Sequence, residues 1–589
     1  MKFQRCLATL SMSVVISAAA VEPVPRQITE VAPVHFEKRG NILFADFGKD
    51  VYGNLQITFA SNQPASTVTV RLGEKLAVDG TIDRQPPGSV NYREISLAVR
   101  RGQANYQLQI PPKSFHLGGQ AVKMSEDIGE VTPFRYAEIE GTLLALKASG
   151  LRQLFVHALF ADHASAFACS DATLNAVWDL CKHTMKATTA FGVYIDGERE
   201  RIPYEADAYL NLLSHYACDL DSHVAHATFE YLLQHPTWPT EWSLHMPMMA
   251  AADYEATGDL ALAAASYDAL QKKLLRDQAR TDGLLNATAI VDWPQSERDG
   301  YNDGKLAADD KRQVGPEINT VANAFYYHAL RKMAMLAHAL KKTDDARDFE
   351  TNAAQVYGSF NRAFFDESRG IYIDGEGSLH ASLHANMFPL AFGLVPTNRV
   401  KTVADFVASR GMAGSVYGAQ YLLEALFTAG RSDTAIQLMT ARTKRSWWHM
   451  IEQGSTMTTE AWDVEFKKNL TWNHAWGAVP ANIISRFVLG VRPIQPGYSE
   501  ILIAPQLGTL KWARGQVPTP LGPVSVNAMN RDVFKLMVNI PSHAKARIEV
   551  PRRAAGQVVL DGKPIATTAR NQTLIIGFIE PGSHVIESR

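Results

Sequence analysis

Asp196-Gly197-Glu198-Arg199-Glu200-Arg201-Ile202-Pro203-Tyr204-Glu205-Ala206-Asp207 places six charged residues in its first ten positions. Carboxylates this dense can give and take protons. They can equally be ion pairs at a helix start, with Pro203 in the first turn and acidic side chains at the positive end of the helix dipole. A second stretch, Gly454-Ser455-Thr456-Met457-Thr458-Thr459-Glu460-Ala461-Trp462-Asp463, precedes Leu470-Thr471-Trp472-Asn473-His474-Ala475-Trp476-Gly477. It joins a carboxylate to an Asn-His pair and several tryptophans.

Aromatic faces stack on the C–H faces of sugars, and carboxylates, Arg and His bind hydroxyls. Of the ten tryptophans, five fall between Trp447 and Trp476; a share of them must be core. Breaking a glycosidic bond needs a carboxylic acid to protonate the leaving oxygen and a second carboxylate acting from the other face of the ring. Two acidic stretches beside clustered aromatics supply those types. No G-x-S-x-G elbow, Walker loop or His-rich metal motif is present, so no cofactor or metal is expected.

The surrounding elements fall into three zones. From 21 to 150, alternating runs such as Leu55 to Phe59, Thr67 to Leu72 and Tyr106 to Ile110, parted by Gly, Pro, Asn and Asp, read as an antiparallel sandwich. From 151 to 490, apolar residues recur at helical spacing, as in Leu174 to Met185, Ala206 to Cys218, Ile318 to Leu340 and Ala419 to Leu438. Roughly ten to twelve helices follow from that pattern. They could stack as a solenoid or close as a ring, and the lack of a fixed repeat disfavours the solenoid. From 491 to 589, strands return in a second, smaller sandwich, with Glu500 to Ala504, Asp532 to Asn539 and Thr573 to Phe578 among them.

Hydrophobic content of 46%, charged content of 20% and a net charge of −2 describe an ordinary globular protein. There is no basic block to hold a nucleic acid. Lys2 and Arg5 before an apolar stretch ending at Ala18-Ala19-Ala20 read as a signal peptide over 1–20, so a periplasmic or extracellular protein is expected, off the membrane once the segment is removed. Cys169, Cys181 and Cys218 then remain. A disulfide between two of them would suit an oxidising compartment, although three small buried residues is the simpler expectation. Oligomeric state is not legible.

At the two acidic stretches the sequence resembles family 78 of the glycoside hydrolases, the α-L-rhamnosidases. The family motif D-C-P-x-R-D-E-R-x-G-W-x-G-D, anchored on its Glu-Arg, puts the general acid on Glu200, the following Arg on Arg201, a Trp on Tyr204 and the last Asp on Asp207. This chain is two residues shorter there, and Pro203 replaces a Gly. With that shortening, Asp196 and Arg199 join Asp207 as substrate-binding residues. The motif G-A-T-T-I-W-E-R-W-D lies without a gap on Gly454 to Asp463, which puts the general base on Glu460 and keeps the Trp462-Asp463 pair. On residue type alone Asp463 would compete as the base. The family's N-H…G follows as Asn473-His474…Gly477. Asp46-Phe47-Gly48, Pro133 to Gly141, Asp292-Trp293-Pro294, Arg298 to Tyr301 and Gly490 to Tyr498 extend the likeness over most of the chain.

The resemblance implies a multi-domain α+β protein, a central (α/α)6 barrel (six-hairpin toroid) between two antiparallel β-sandwich domains, acting by inversion on rhamnosylated glycans or glycosides. Trp293, Trp462 and His474 become candidates for holding the sugar. Glu200 must be protonated to act, so Asp196 and Asp207 should raise its pKa, and Arg201 should turn aside into a structural ion pair. Two alternatives stand beside this reading. One is another six-hairpin glycosidase or polysaccharide lyase acting on rhamnose- or uronate-containing glycans; the other is a carbohydrate-binding protein whose catalysis has lapsed.

Overall fold

The computed structural model describes residues 24–60, 63–141, 146–301, 318–570 and 572–589; the expected signal segment lies outside them. The amino-terminal domain is an eight-stranded antiparallel sheet. Its spine is the long strand Ile42–Thr58, which pairs with His35–Arg39, Asn105–Gln107, Thr132–Glu140 and Leu151–Ala158. Side chains on one face of these strands, including Leu43, Leu55, Ile57, Val70, Phe134 and Ile139, form its core. The pairing with Thr132–Glu140 shifts register between Asp46 and Val51. Such an irregularity bends a strand and re-aims its side chains, and here Asp50 and Tyr52 turn to the helical domain. The domain also runs further than its turn signals suggest. Leu151–Ala158, expected at the start of the helical zone, pairs with Arg26–Val31 inside this sheet.

Thirteen α-helices occupy the centre of the described residues. Burial sorts them into two layers. In Glu205–Cys218 every residue but Leu213 is buried, whereas Thr343–Ala363 buries only Ala346, Phe349, Ala353, Val356, Ser359 and Phe360, a single stripe. A helix apolar all round must be enclosed, and one with a stripe lies on the surface. The enclosed helices Glu205–Cys218, His245–Thr257, Thr320–Ala339, Leu383–Ala391, Ala419–Thr428 and Val479–Ile483 each touch the next, and the last touches the first. Contact order around that circuit closes a ring. Its centre is filled by His245, Phe325, Phe388, Phe392 and Tyr421, whose ring centroids lie 4.9–6.4 Å apart in their closest pairs. Cys169, Cys181 and Cys218 are buried free thiols. No helix among the described residues is long and apolar enough to cross a membrane.

The carboxy-terminal domain stacks a five-stranded sheet on a seven-stranded one. One pairing in it, Glu500–Ile503 with Lys545–Pro551, is parallel, so the domain is not wholly antiparallel. The seventh strand of the larger sheet is Ala166–Cys169, which lies before the first barrel helix and pairs with Trp512–Val517. Gly490 joins the barrel to this domain at φ +77°, and a methyl there would lie 2.2 Å from the Ala504 carbonyl carbon. Gly490→Ala should therefore destabilise the protein by about 2 kcal/mol or more, through strain and overpacking together. A thermal midpoint unchanged by calorimetry would contradict this.

Candidate active site

The loop from Asp196 to Ile202 is closed on itself before it meets anything else. Asp196 N donates to Ile202 O, Ile202 N to Asp196 Oδ1, and Arg201 N to Gly197 O, each at 3.0 Å. Gly197 and Arg201 both take positive φ, +100° and +56°. Arg201 turns away from the cavity, with Nε 2.9 Å from Glu198 Oε2, one Nη 2.8 Å from Glu130 Oε1, and the guanidinium 4.7 Å from the Phe191 ring centroid. Arg199 turns the other way.

The segment bearing Glu460 runs beside the one bearing His474. Glu460 N donates to Thr471 O at 3.0 Å, His474 N to Thr458 O at 2.9 Å, and Thr458 Oγ1 to His474 O at 2.7 Å. Gly477 admits this approach, since a methyl there would stand 2.6 Å from Thr458 Cβ. Glu460 Oε1 lies 3.0 Å from Lys467 Nζ and 3.1 Å from Arg199 Nη2, and Oε2 accepts from Thr471 N at 3.2 Å. The other terminal nitrogen of Arg199 contacts Glu200 Oε1, whose second oxygen accepts from Tyr204 Oη at 3.0 Å. One guanidinium thus spans both glutamates.

These groups line a cavity of about 340 Å3 with Asp196, Asp207, Trp238, Trp242, Ile290, Trp293, Asn469, His474 and Trp476. Asp207 accepts from His474 Nε2 at 2.8 Å. Trp242 Nε1 and His474 Nδ1 are buried without a protein partner. Buried Asp292 is held by His384 Nε2 at 2.6 Å and Ser415 N at 2.9 Å, and it accepts from Trp293 N at 2.8 Å, so it anchors the wall rather than facing the cavity.

Of the residues singled out in sequence, Glu200, Glu460, Asp196, Arg199, Asp207, Trp293 and His474 converge on this cavity. Trp462 does not. Its indole donates to Gly414 O at 2.9 Å and packs edge-on against Trp447, which makes it core. Asp463 is paired with His449 at 2.7 Å, away from the cavity. Trp238, Trp242, Lys467, Asn469 and Trp476 were not anticipated as site residues. The Trp238-Pro-Thr-Glu-Trp242 spacing could have flagged two of them; the lysine carried no signal.

Burial pushes the Glu200 carboxyl up, but its hydrogen bond with Asp196, the Arg199 guanidinium and the Tyr204 hydroxyl outweigh burial and hold it below its usual value. Asp196 goes the other way: burial, then the charges of Glu200 and Glu460, drive it well above the carboxylate range. The two carboxyls share a hydrogen bond and titrate as a pair, Asp196 pushed up and Glu200 held down. This corrects the expectation that Asp196 would raise Glu200: the hydrogen bond with Asp196 lowers it, and Arg199, which points into the site, lowers it further. Asp207 is raised, by burial.

The model of the bacterial alpha-L-rhamnosidase six-hairpin glycosidase domain matches residues 162–488, and that of the bacterial alpha-L-rhamnosidase C-terminal domain matches 490–563. The chain belongs to the bacterial α-L-rhamnosidase six-hairpin glycosidase family. Among relatives in this family, an alpha-L-rhamnosidase of Alteromonas sp. (strain LOR) is 27% identical over 341 residues, covering 54% of this chain and 35% of the relative. A structure of alpha-L-rhamnosidase from Dictyoglumus thermophilum superposes with TM-score 0.79 at 19% identity, over 96% of this chain and 64% of the other. The Streptomyces avermitilis alpha-L-rhamnosidase complexed with L-rhamnose gives 0.75 at 19%, over 97% and 54%. At these identities the superpositions establish the six-hairpin fold. The chain spans about a third of the length of the Alteromonas relative.

Proposed function

We propose that this protein is an inverting α-L-rhamnosidase that releases terminal rhamnose from a glycoside or glycan, with Glu200 as general acid and Glu460 as general base. The observation that carries the reading is the single Arg199 guanidinium held between the two carboxylates on the wall of an aromatic cavity. An inverting pair stands roughly 6.5–9.5 Å apart to leave room for a water, and one guanidinium's width between two carboxylates is of that order. Trp293, Trp238 and Trp242 would face the sugar ring and its C6 methyl, and Asp207 with His474 would take hydroxyls.

The proton held between Asp196 and Glu200 gives the acid its supply. As the leaving oxygen approaches Glu200, the proton shifts across the Asp196–Glu200 hydrogen bond and passes to that oxygen. Glu460 takes a proton from the attacking water, and C1–O cleavage proceeds with attack from the opposite face. The test is to follow p-nitrophenyl α-L-rhamnoside hydrolysis by proton NMR from the first minutes. β-L-Rhamnose should appear first and mutarotate later. α-L-Rhamnose appearing first would overturn inversion. Failure to cleave rhamnosides while another aryl glycoside is cleaved would overturn the sugar assignment, and an ultraviolet-absorbing unsaturated product from a uronate-containing glycan would mark a lyase.

A further inference from the structure

The loop that carries Glu200 is fastened on both sides of that residue, in part by groups from outside the barrel domain. Before it, Glu198 N donates to Asn473 Oδ1 at 2.7 Å and Glu198 O meets His116 Nε2 at 2.8 Å. After it, Arg201 O accepts from Val122 N at 2.8 Å, and the Arg201 guanidinium reaches Glu130. His116, Val122 and Glu130 all precede the barrel in the chain. Glu200 has two residues of slack between the Glu198 fastening and the one at Arg201.

Asn473 is the keystone of the first fastening, and both ends of its amide are engaged. Its Oδ1 also accepts from Tyr52 Oη at 2.9 Å, and its Nδ2 donates to Glu74 Oε1 at 2.8 Å. A backbone N–H can only donate, so Oδ1 must face Glu198 N and the amide has one possible orientation. Glu74 Oε2 accepts from Asn91 N, and Glu74 hydrogen-bonds Asp50 beside it. Burial and the neighbouring Glu74 charge hold the Asp50 carboxyl well above its usual range, so Asp50 is the donor of that pair. Asp50 in turn is tied to the stretch leading to Glu460, its N donating to Thr456 Oγ1 at 2.7 Å. The fit is tight: a methyl on Gly197 would stand 3.0 Å from Asn473 Oδ1 and 2.9 Å from Thr471 Oγ1.

We infer that the amino-terminal β domain is a working part of the active site, and that Glu74 and Tyr52 are positioning residues which, through Asn473, set where Glu200 delivers its proton. This rests on Glu200 being the general acid. A misplacement of about 1 Å can cost on the order of a hundredfold in rate, so the effect should be measurable. It should also be selective, because an aglycone that leaves readily as an anion needs no proton.

The test compares 2,4-dinitrophenyl α-L-rhamnoside with methyl α-L-rhamnoside for wild type, Glu74→Ala, Tyr52→Phe and Glu200→Gln. Glu74→Ala should lower kcat on the methyl glycoside by about 10–100-fold with KM within about threefold, and change the dinitrophenyl rate by less than about threefold. Tyr52→Phe should show the same split, smaller. Equal losses on both substrates, or no loss on the methyl glycoside, would overturn the inference. If Glu74→Ala does not fold, Tyr52→Phe, which deletes one hydroxyl, decides. Glu200→Gln separates the two failures. If it shows no split, the acid assignment falls and takes this inference with it; if it shows the split and the positioning variants do not, only the positioning role falls.

Discussion

Glu460→Gln should lower kcat by about a thousandfold, and by the same factor for dinitrophenyl and methyl α-L-rhamnosides. The base acts on water, so the aglycone does not enter. General-base removal typically costs 10²–10⁴-fold, and a thousandfold is about 4 kcal/mol of transition-state stabilisation. Glutamine keeps the shape and the acceptor for Thr471 N but cannot take a proton from water. It also leaves Arg199 and Lys467 short of a counter-charge, so a lower thermal midpoint should accompany the lost activity. Azide is a nucleophile that needs no base. Added to Glu460→Ala, it should restore part of the turnover on the dinitrophenyl glycoside and give the β-rhamnosyl azide. Near-native hydrolysis by Glu460→Gln would remove this residue from the mechanism.

Glu200→Gln should be comparably damaging, about a thousandfold on methyl α-L-rhamnoside, but mild on the dinitrophenyl glycoside. Its pH profile carries a second signature. Asp196 is raised by burial and by its acidic neighbours, while Glu200 is held low. A group with a raised pKa keeps its proton as pH rises until that raised value is passed. Wild-type activity on the methyl glycoside should therefore persist through the ordinary carboxylate range and fall on the alkaline side, as the pair gives up its shared proton. In Glu200→Gln the amide cannot pass the proton of Asp196 to the leaving oxygen, so that alkaline limb should be absent from the residual activity on the methyl glycoside. A limb unchanged in the variant would show that the ionisation belongs elsewhere.

What could be read in the sequence was residue type and local period. Glu460 was legible because its motif aligns without a gap, and the outward turn of Arg201 because two arginines flanking an acid cannot both point at it and leave it a donor. Direction was not legible. Trp462 and Trp476 lie in similar company, yet one faces the core and the other the cavity, since a loop has no period to tell inside from outside. Arg199 shows the same limit with a chemical consequence, for its turn toward Glu200 helps hold that carboxyl below its usual value. Long-range pairing was invisible as well. Leu151–Ala158 pairs with Arg26–Val31 and Ile42–Thr58, far back in the chain, and nothing local separates Ala166–Cys169 from a linker. Glu74 is a single carboxylate after a strand, unremarkable until folding sets it against Asn473.

The strand Ala166–Cys169 has a consequence for how the molecule is made. It precedes the barrel in the chain, but its one sheet partner among the described residues, Trp512–Val517, follows the whole of it. Until then its backbone donors and acceptors are an open edge, the kind of surface that recruits a neighbouring chain. The first helix of the helical domain, Ala172–Ala187, starts from that unanchored strand. The barrel thus waits on the domain that follows it, and closure over so long a loop is slow. A chain cut after Leu489 should keep most of its helices yet collect in aggregates, and supplying residues 490–589 as a separate fragment during refolding should return part of it to solution.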